Sequence, residues 1–221
     1  MYAVASMNTS NYQDLSDLTD PCKKEYCERH GYKFFVGHDD VFVLKTTPYT
    51  SYMNFNKMYY ILQLFEKNPE IDWLLFCEGD AMITNLTIRI EERIDNDYHF
   101  IVPVDRNNIN AGNFLVRNTP EARAYLQMIF DKAEEYRNVE WAEQQVIIDT
   151  IEEYSNIVKL VPQRYMNSYE QLMYDYCDIS KDIFGTSGQW EVGDWIVHWP
   201  GTHKEHRLQR AQEMNQLIVR K

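Results

Sequence analysis

Nowhere does the sequence hold the run of about eighteen apolar residues that a membrane-crossing helix needs. Its first residues, Met1-Tyr2-Ala3-Val4-Ala5, have neither the charged region nor the apolar region of a secretory signal. The expectation is a soluble, cytoplasmic chain with no integral membrane segment, in which Asn8-Thr9-Ser10 and Asn85-Leu86-Thr87 match glycosylation acceptors but stay unmodified. Positive charge is also scarce: 22 Lys and Arg stand against 34 Asp and Glu, a formal charge of −12. So acidic a surface argues against nucleic acid as a partner and leaves no basic helix for an anionic membrane. Cysteine is sparse, at positions 22, 27, 77 and 177. Cys22 and Cys27 lack the spacing and companions of a zinc site, so reduced thiols are expected, with Cys77 buried. Repeats, low-complexity tracts and linkers are absent, which predicts one domain over residues 1–221, long enough to bury a real core.

What is present is organised around Trp73-Leu74-Leu75-Phe76-Cys77-Glu78-Gly79-Asp80. Five apolar residues in a row read as a strand buried on both faces, ending at two carboxylates separated by a glycine. The carboxyl ends of strands are where open α/β sheets keep ligands, and Gly79 lets something approach the backbone between the acids. Two hard oxygen donors suit Mg²⁺ or Mn²⁺, which leave coordination positions for substrate phosphates. A solvated polar turn fits the local pattern equally well.

Around this stretch the chain alternates strands and helices. Tyr2 to Met7 reads as a first strand, followed by a polar loop whose small side chains suit a nucleotide pocket or an ordinary surface. Asp20, Pro21 and Gly31 bracket a helix over Pro21 to His30, and Tyr32 to Val36 is a second strand. Apolar residues at helical spacing mark a helix from Tyr52 to Lys67, with Lys57 near its start, solvated or facing a phosphate. Phe100 to Val104 and Asn113 to Val116 read as strands, joined by an amide-rich linker that fits sugar recognition and a hairpin turn alike. Helices are expected from Thr119 to about Tyr136 and from about Val139 to Tyr154. Strands follow at Val158 to Val161 and Asp194 to Val197, then a polar C-terminal helix. The span from Glu170 to Trp190 has no clear pattern.

Singly these motifs are weak, but their order is specific. Glu-x-Asp at 78–80, Asn-x-Gly-x-Phe at 110–114, Trp-x-Glu-Gln at 141–144, Pro-Gln-Arg-x-x-Asn-Ser-Tyr at 162–169 and His-x-x-Gly at 198–201 together resemble the GT-A nucleotide-sugar glycosyltransferases. The similarity is to glycosyltransferase family thirty-four, the retaining galactosyl, xylosyl and mannosyl transferases, and it extends from about Cys22 to His203. His198-x-x-Gly201-x-x-Lys204 also resembles the C-terminal signature of family eight, and the whole is similar to glycosyltransferase domains encoded by large algal viruses, which would put it in the host cytoplasm.

The resemblance implies a single GT-A domain, an α/β fold with a mixed, mainly parallel sheet flanked by helices. It implies retaining transfer from a UDP-sugar donor to a glycan or other hydroxyl acceptor, with Mn²⁺ as cofactor and Mg²⁺ as the alternative. Glu78, Asp80 and His198 would be metal ligands, and imidazole favours the softer ion. Lys204 and Lys57 would hold the diphosphate. Ala5, Ser6, Gly79, Asn110, Gly112 and Gly201 would line the donor, with Glu143 and Gln144 beneath its anomeric carbon and Asp105 and Arg164 nearby. Glu143 as a covalent nucleophile and Gln144 as a carbonyl stabilising an oxocarbenium-like carbon both remain open. The family's first acid is ordinarily aspartate, so Glu78 lengthens one arm of the motif. The rival functions are a silent glycan-binding module of the same fold and a nucleotidyltransferase, although the basic glycine-rich loop of the latter is missing after the first strand.

Overall fold

The structure is a computed structural model that describes residues 1–48, 50–170 and 181–221. At its centre lies β3 (Trp73–Cys77), and all five of its residues are buried. Side chains alternate across a strand, so Leu74 and Phe76 enter one hydrophobic cluster while Trp73, Leu75 and Cys77 enter another on the opposite face. Each such side chain contributes about 1.5–3 kcal/mol by leaving water, which is why an unbroken apolar run settles in the middle of the sheet.

Beside β3 lie β1 (Tyr2–Met7), β2 (Lys33–Gly37), β5 (Phe100–Asp105), β6 (Asn108–Ile109), β7 (Asn113–Arg117) and β8 (Val158–Val161). Their order is β2-β1-β3-β7-β5-β6, with β8 also on β5. The sheet is mixed, as expected, but parallel pairings do not dominate. β1 runs parallel to β2 and β3, and β5 to β8, whereas β7 is antiparallel to β3 and β5, and β6 to β5. The turn between β5 and β6 is too short to carry a crossover helix, so the chain reverses there and β6 and β7 both run back along β5. A second sheet joins β4 (Ala81–Ile83), β10 (Ile196–His198) and β9 (Ser168–Tyr169) in the order β4-β10-β9. β4 and β9 have too few residues to leave a periodic signal. The last strand starts two residues later than expected, and His198 closes it.

Helices cover both faces. α2 (Asn56–Lys67), α3 (Pro120–Asp131) and α4 (Glu143–Thr150) pack on the Leu74 and Phe76 side. α1 (Gln13–His30), α5 (Lys204–Met214) and the small sheet pack on the other. Boundaries differ from expectation at four helices, and α3 ends at Asp131, short of Tyr136. α1 starts at Gln13 and carries Pro21 in its interior. An interior proline costs about 3 kcal/mol relative to alanine, but Pro21 is exposed while Leu15, Thr19, Cys22 and Tyr26 form a continuous buried face, so packing carries the helix through. Ser51–Phe55 form a 3-10 turn ahead of α2. α4 starts only at Glu143, because Trp141 (φ 68°) and Ala142 (φ 45°) have positive φ just before it and cannot continue a helix, and it ends at Thr150, ahead of Tyr154.

Among the described residues no helix is long and apolar enough to cross a membrane. Cys22, Cys27 and Cys77 are free and buried, and burial holds their thiols above the ordinary value. Cys177 lies outside the described residues.

Candidate active site at the carboxyl end of β3

A cavity of about 870 Å³ opens where β1, β3 and the β5–β6 hairpin end. The turn after β3 projects into it and is fixed from behind. Lys23 Nζ donates to the Glu78 carbonyl at 2.9 Å and Thr19 Oγ1 to the Gly79 carbonyl at 2.8 Å, both from α1. The Trp199 amide donates to the Asp80 carbonyl at 3.1 Å. Gly79 is required by its neighbour in the fold: a Cβ there would lie 1.8 Å from Asn8 Oδ1 at the end of β1.

Asp80 is the hub. Its Oδ1 lies 3.1 Å from His198 Nε2, and its Oδ2 3.1 Å from Arg207 Nη1 on α5. Burial pushes the Asp80 carboxyl up, but His198 and Arg207 outweigh it and hold it well below the usual range. His198 Nδ1 is 2.7 Å from Asn167 Oδ1, which also accepts from Asn113 Nδ2 at 2.8 Å. An amide oxygen only accepts, so Nδ1 donates a proton to Asn167, and Nε2 is the ring atom turned to the Asp80 carboxylate. A contact of 3.1 Å between these two atoms is made by a proton on Nε2 or by a cation shared between them. Gly112 seats the ring: a Cβ there would lie 2.3 Å from His198 Cε1.

Lys57 forms a second centre. It is buried, with Nζ 2.9 Å from Glu143 Oε1, 3.3 Å from Glu78 Oε1 and 3.2 Å from the Ala111 carbonyl. Burial would pull this amine down, but Glu143 and Glu78 push it above its ordinary value. The solvated alternative for Lys57 is therefore corrected, since α2 presents it inward to the acids. Burial also holds the Glu78 carboxyl above the usual range, against the pull of Lys57. Glu78 Oε2 and Glu143 Oε2 are buried without a hydrogen-bond partner.

The other anticipated residues divide. Asp105, Asn110, Gly112, Gln144 and Gly201 all line the cavity, and Gly201 has φ +70°. Asp105 Oδ2 accepts from Tyr169 at 2.8 Å and from Asn110 Nδ2 at 3.2 Å, while Asn110 Oδ1 accepts from the Gly112 amide at 3.0 Å. Gln144 Oε1 accepts from the Ala111 amide at 3.0 Å. Ala5 and Ser6 are fully buried inside β1, Ala5 between β2 and β3 and Ser6 beside β2 with its hydroxyl accepting from Lys23, and Met7, Asn8 and Thr9 reach the cavity in their place. Lys204 turns away, with Nζ 2.8 Å from Asp14 Oδ1 and 2.5 Å from the Asn11 carbonyl. Arg164 pairs with Asp194 and Glu191 and does not line the cavity.

Arg207 and Asn167 escaped sequence reasoning. Arg207 follows Lys204 by one helical turn on α5 and carried that signal, and Asn167 sits within the Asn-Ser-Tyr motif. Among the described residues no three His, Cys, Asp or Glu side chains gather to hold a metal. Asp80 and His198 fit a cation as a two-ligand site that leaves positions for substrate oxygens, while Glu78 is drawn to Lys57.

The fold recurs in known proteins. A glycosyltransferase involved in glycosylation of the major capsid of PBCV-1 has a TM-score of 0.77 at 17% identity, over 96% of this chain and 98% of that one. The galactosyltransferase LgtC, solved with donor and acceptor sugar analogs, has a TM-score of 0.63 at 13% identity, over 99% of this chain and 95% of LgtC. The shared fold is the GT-A fold. In sequence, the alpha-1,2-galactosyltransferase of Schizosaccharomyces pombe is 23% identical over 216 residues, 81% of this chain and 54% of that protein. The probable alpha-1,2-galactosyltransferase gmh1 of the same yeast is 25% identical over 235 residues, 87% of this chain and 65% of that protein. The chain thus spans about half the length of the first and under two thirds of the second. The model of the galactosyl transferase GMA12/MNN10 family matches residues 4–96 and 95–209, and with both the strand-end acids and His198 inside those spans, the chain belongs to that family.

Proposed function

We propose that residues 1–221 form one transferase domain that moves a sugar, with retention, from a UDP-sugar to a hydroxyl of a glycan or other acceptor, using Mn²⁺. Galactose is the sugar that the names of the yeast relatives suggest. The observation that carries the proposal is the approach of Asp80 Oδ1 and His198 Nε2 to 3.1 Å beside a cavity of nucleotide-sugar size. A divalent cation bound by this pair would neutralise charge on the departing diphosphate. The chain's own groups extend that role. Arg207 is free to exchange its Asp80 contact for a phosphate oxygen, and its planar fork suits that acceptor. Lys57 keeps positive charge under the donor while holding Glu143 and Glu78 in place. Gln144, anchored on Ala111, borders the reacting carbon.

Calorimetric titration with UDP, UDP-galactose and GDP-mannose, each with and without Mn²⁺, tests the proposal. The uridine compounds are expected to bind only with the metal; metal-independent binding, or a preference for GDP-mannose, overturns the donor assignment. Incubation with UDP-galactose then separates transferase from nucleotidyltransferase and from binding module by release of free sugar.

The exchange of partners at Arg207 is separately measurable. A hydrogen bond to a charged group is worth about 1.5–3 kcal/mol, so Arg207→Met is expected to weaken UDP binding in Mn²⁺ by roughly 10- to 100-fold. Lys204→Met is expected to weaken it less, because Asp14 and Asn11 already occupy that amine. The reverse ranking would return the diphosphate contact to Lys204.

A further inference from the structure

Behind His198 a buried chain of polar side chains ties the two sheets together. Asp105 closes β5 and Asn113 opens β7 in the large sheet, whereas Asn167 leads into β9, Tyr169 closes it and His198 closes β10 in the small one. All five are buried, Asn113 and Asn167 completely. Buried amides cost stability unless their hydrogen bonds are made, and here the partners also fix which way the bonds run.

At one end the ionised Asp105 carboxylate only accepts. The Tyr169 hydroxyl therefore gives its single proton to Asp105 Oδ2 at 2.8 Å and accepts from Asn167 Nδ2 at 3.3 Å. At the other end the Glu78 amide, which donates to the Gly112 carbonyl at 3.1 Å, also reaches Asn113 Oδ1 at 3.3 Å. That leaves Asn113 Nδ2 to donate to Asn167 Oδ1 at 2.8 Å. Both ends turn the Asn167 oxygen the same way, and it faces His198 Nδ1 at 2.7 Å. Its two lone pairs are taken, one by Asn113 and one by the imidazole.

The antiparallel pairing of β10 with β4 sets His198 opposite Ala81, next to Asp80, and so places its backbone. It does not choose the rotation of the ring, because the χ2 torsion of histidine is broad and roughly two-fold. A half-turn about Cβ–Cγ would put Cδ2 against Asn167 and Cε1 against Asp80, and the atom able to bind a cation would leave the site. Shape does little to prevent this, since ring carbon and ring nitrogen are nearly equal in size.

We infer that Asn167 is a positioning residue for the cation: its amide, oriented by Asn113 and Tyr169, holds the His198 imidazole in the setting that turns Nε2 to Asp80. The inference rests on the metal reading of the proposed transferase. Hydrogen-bond partners behind metal-binding histidines fix ring orientation, and their loss typically costs roughly 10- to 100-fold in metal affinity.

The test is titration of the whole chain with Mn²⁺ followed by electron paramagnetic resonance, with and without UDP, together with pulsed measurement of nitrogen coupling to the bound ion. The parent chain is expected to show the coupling of a directly bound imidazole. Asn167→Leu, close to asparagine in volume but without the acceptor, should weaken Mn²⁺ binding roughly 10- to 100-fold and lose the coupling. Asn167→Asp keeps an oxygen on Nδ1 and should retain both. Tyr169→Phe removes the hydroxyl that orients the amide and leaves the His198 contact itself in place, so it should weaken Mn²⁺ binding by less than Asn167→Leu. The inference is overturned if a folded Asn167→Leu binds Mn²⁺ as the parent does with its nitrogen coupling intact, whatever its melting temperature, for Asn167 would then be structural. It is overturned too if Asn167→Asp loses as much as Asn167→Leu, or if Asn167→Leu fails to fold and Tyr169→Phe binds Mn²⁺ as the parent does. A parent chain that binds no Mn²⁺, or binds it without nitrogen coupling, removes the metal reading and this inference with it. Coupled Mn²⁺ without UDP binding counts against the donor proposal alone.

Discussion

Asp80→Asn is expected to yield a folded chain that no longer binds UDP in the presence of Mn²⁺. The substitution preserves size and one hydrogen-bonding oxygen, so the His198 ring keeps a neighbour, and the Asp80 main chain stays anchored by Trp199. What disappears is the negative charge on which His198 and Arg207 converge. Without it the imidazole alone faces the cation, and Arg207 loses the contact that parks it at the mouth of the site. Loss of one preorganised charge-stabilising group typically costs about a hundred- to a thousandfold in turnover, and here donor binding should fall with it. Calorimetry with UDP and Mn²⁺ reads the first effect and sugar release the second. Affinity within a factor of two or so of the parent, on the scale where about 1.4 kcal/mol is tenfold, would take Asp80 out of the site.

Lys57→Met should do the opposite kind of damage, acting on the fold before the chemistry. The amine is buried against two carboxylates, and its removal leaves Glu143, at 3% side-chain exposure, with a charge and no counterion. Breaking one partner of a buried ion pair costs about 3–5 kcal/mol. For a chain of this size that corresponds to a fall of roughly 6–20 °C in the melting temperature. Glu78 shares the loss less severely, because 26% of its side chain meets solvent. The double variant Lys57→Met/Glu143→Gln removes charge from both sides and should recover most of the stability, as neutralised pairs tolerate burial better than stranded ions. Thermal unfolding followed by circular dichroism measures both. A single variant that melts within about 2 °C of the parent, where each kcal/mol shifts the midpoint by about 2–4 °C, would show that water already satisfies these acids.

The parts of this architecture that could be read from the chain are those whose cause is local. Trp73 to Cys77 announces itself, since five consecutive apolar residues fit only a doubly covered strand, and the abrupt change to Glu78 and Asp80 marks its exposed end. The GT-A fold was legible only through the family resemblance that the order of short motifs carries. What stayed hidden depends on partners distant in sequence. Nothing near Lys204 tells that Asp14 and the Asn11 carbonyl will claim it and leave Arg207 to face Asp80. Nothing in Ala5 and Ser6 tells that neighbouring strands and Lys23 will seal them, so that the cavity begins only at Met7. Pro21 is a strong local signal and predicts a shorter α1, but the buried face from Leu15 to Cys27 is a stronger tertiary one. At Trp141 and Ala142 the helical pattern runs on in the sequence while the backbone breaks, and no residue preference foretells left-handed tryptophan.

The close fit of Gly79 against Asn8 reaches beyond the fold into how such a sequence can drift. The acidic turn and the end of β1 share one small volume, so neither position has a history independent of the other. An alanine arriving at position 79 meets the Asn8 amide head-on, whereas a serine or glycine arriving first at position 8 removes that clash and leaves the Met7 carbonyl, 3.2 Å from the added carbon, as the remaining tight contact. The order of events decides which path is open. Lineages that keep asparagine at the end of the first strand are bound to keep glycine between the two acids, and the motif's middle residue is inherited through a neighbour in space that the motif itself does not contain.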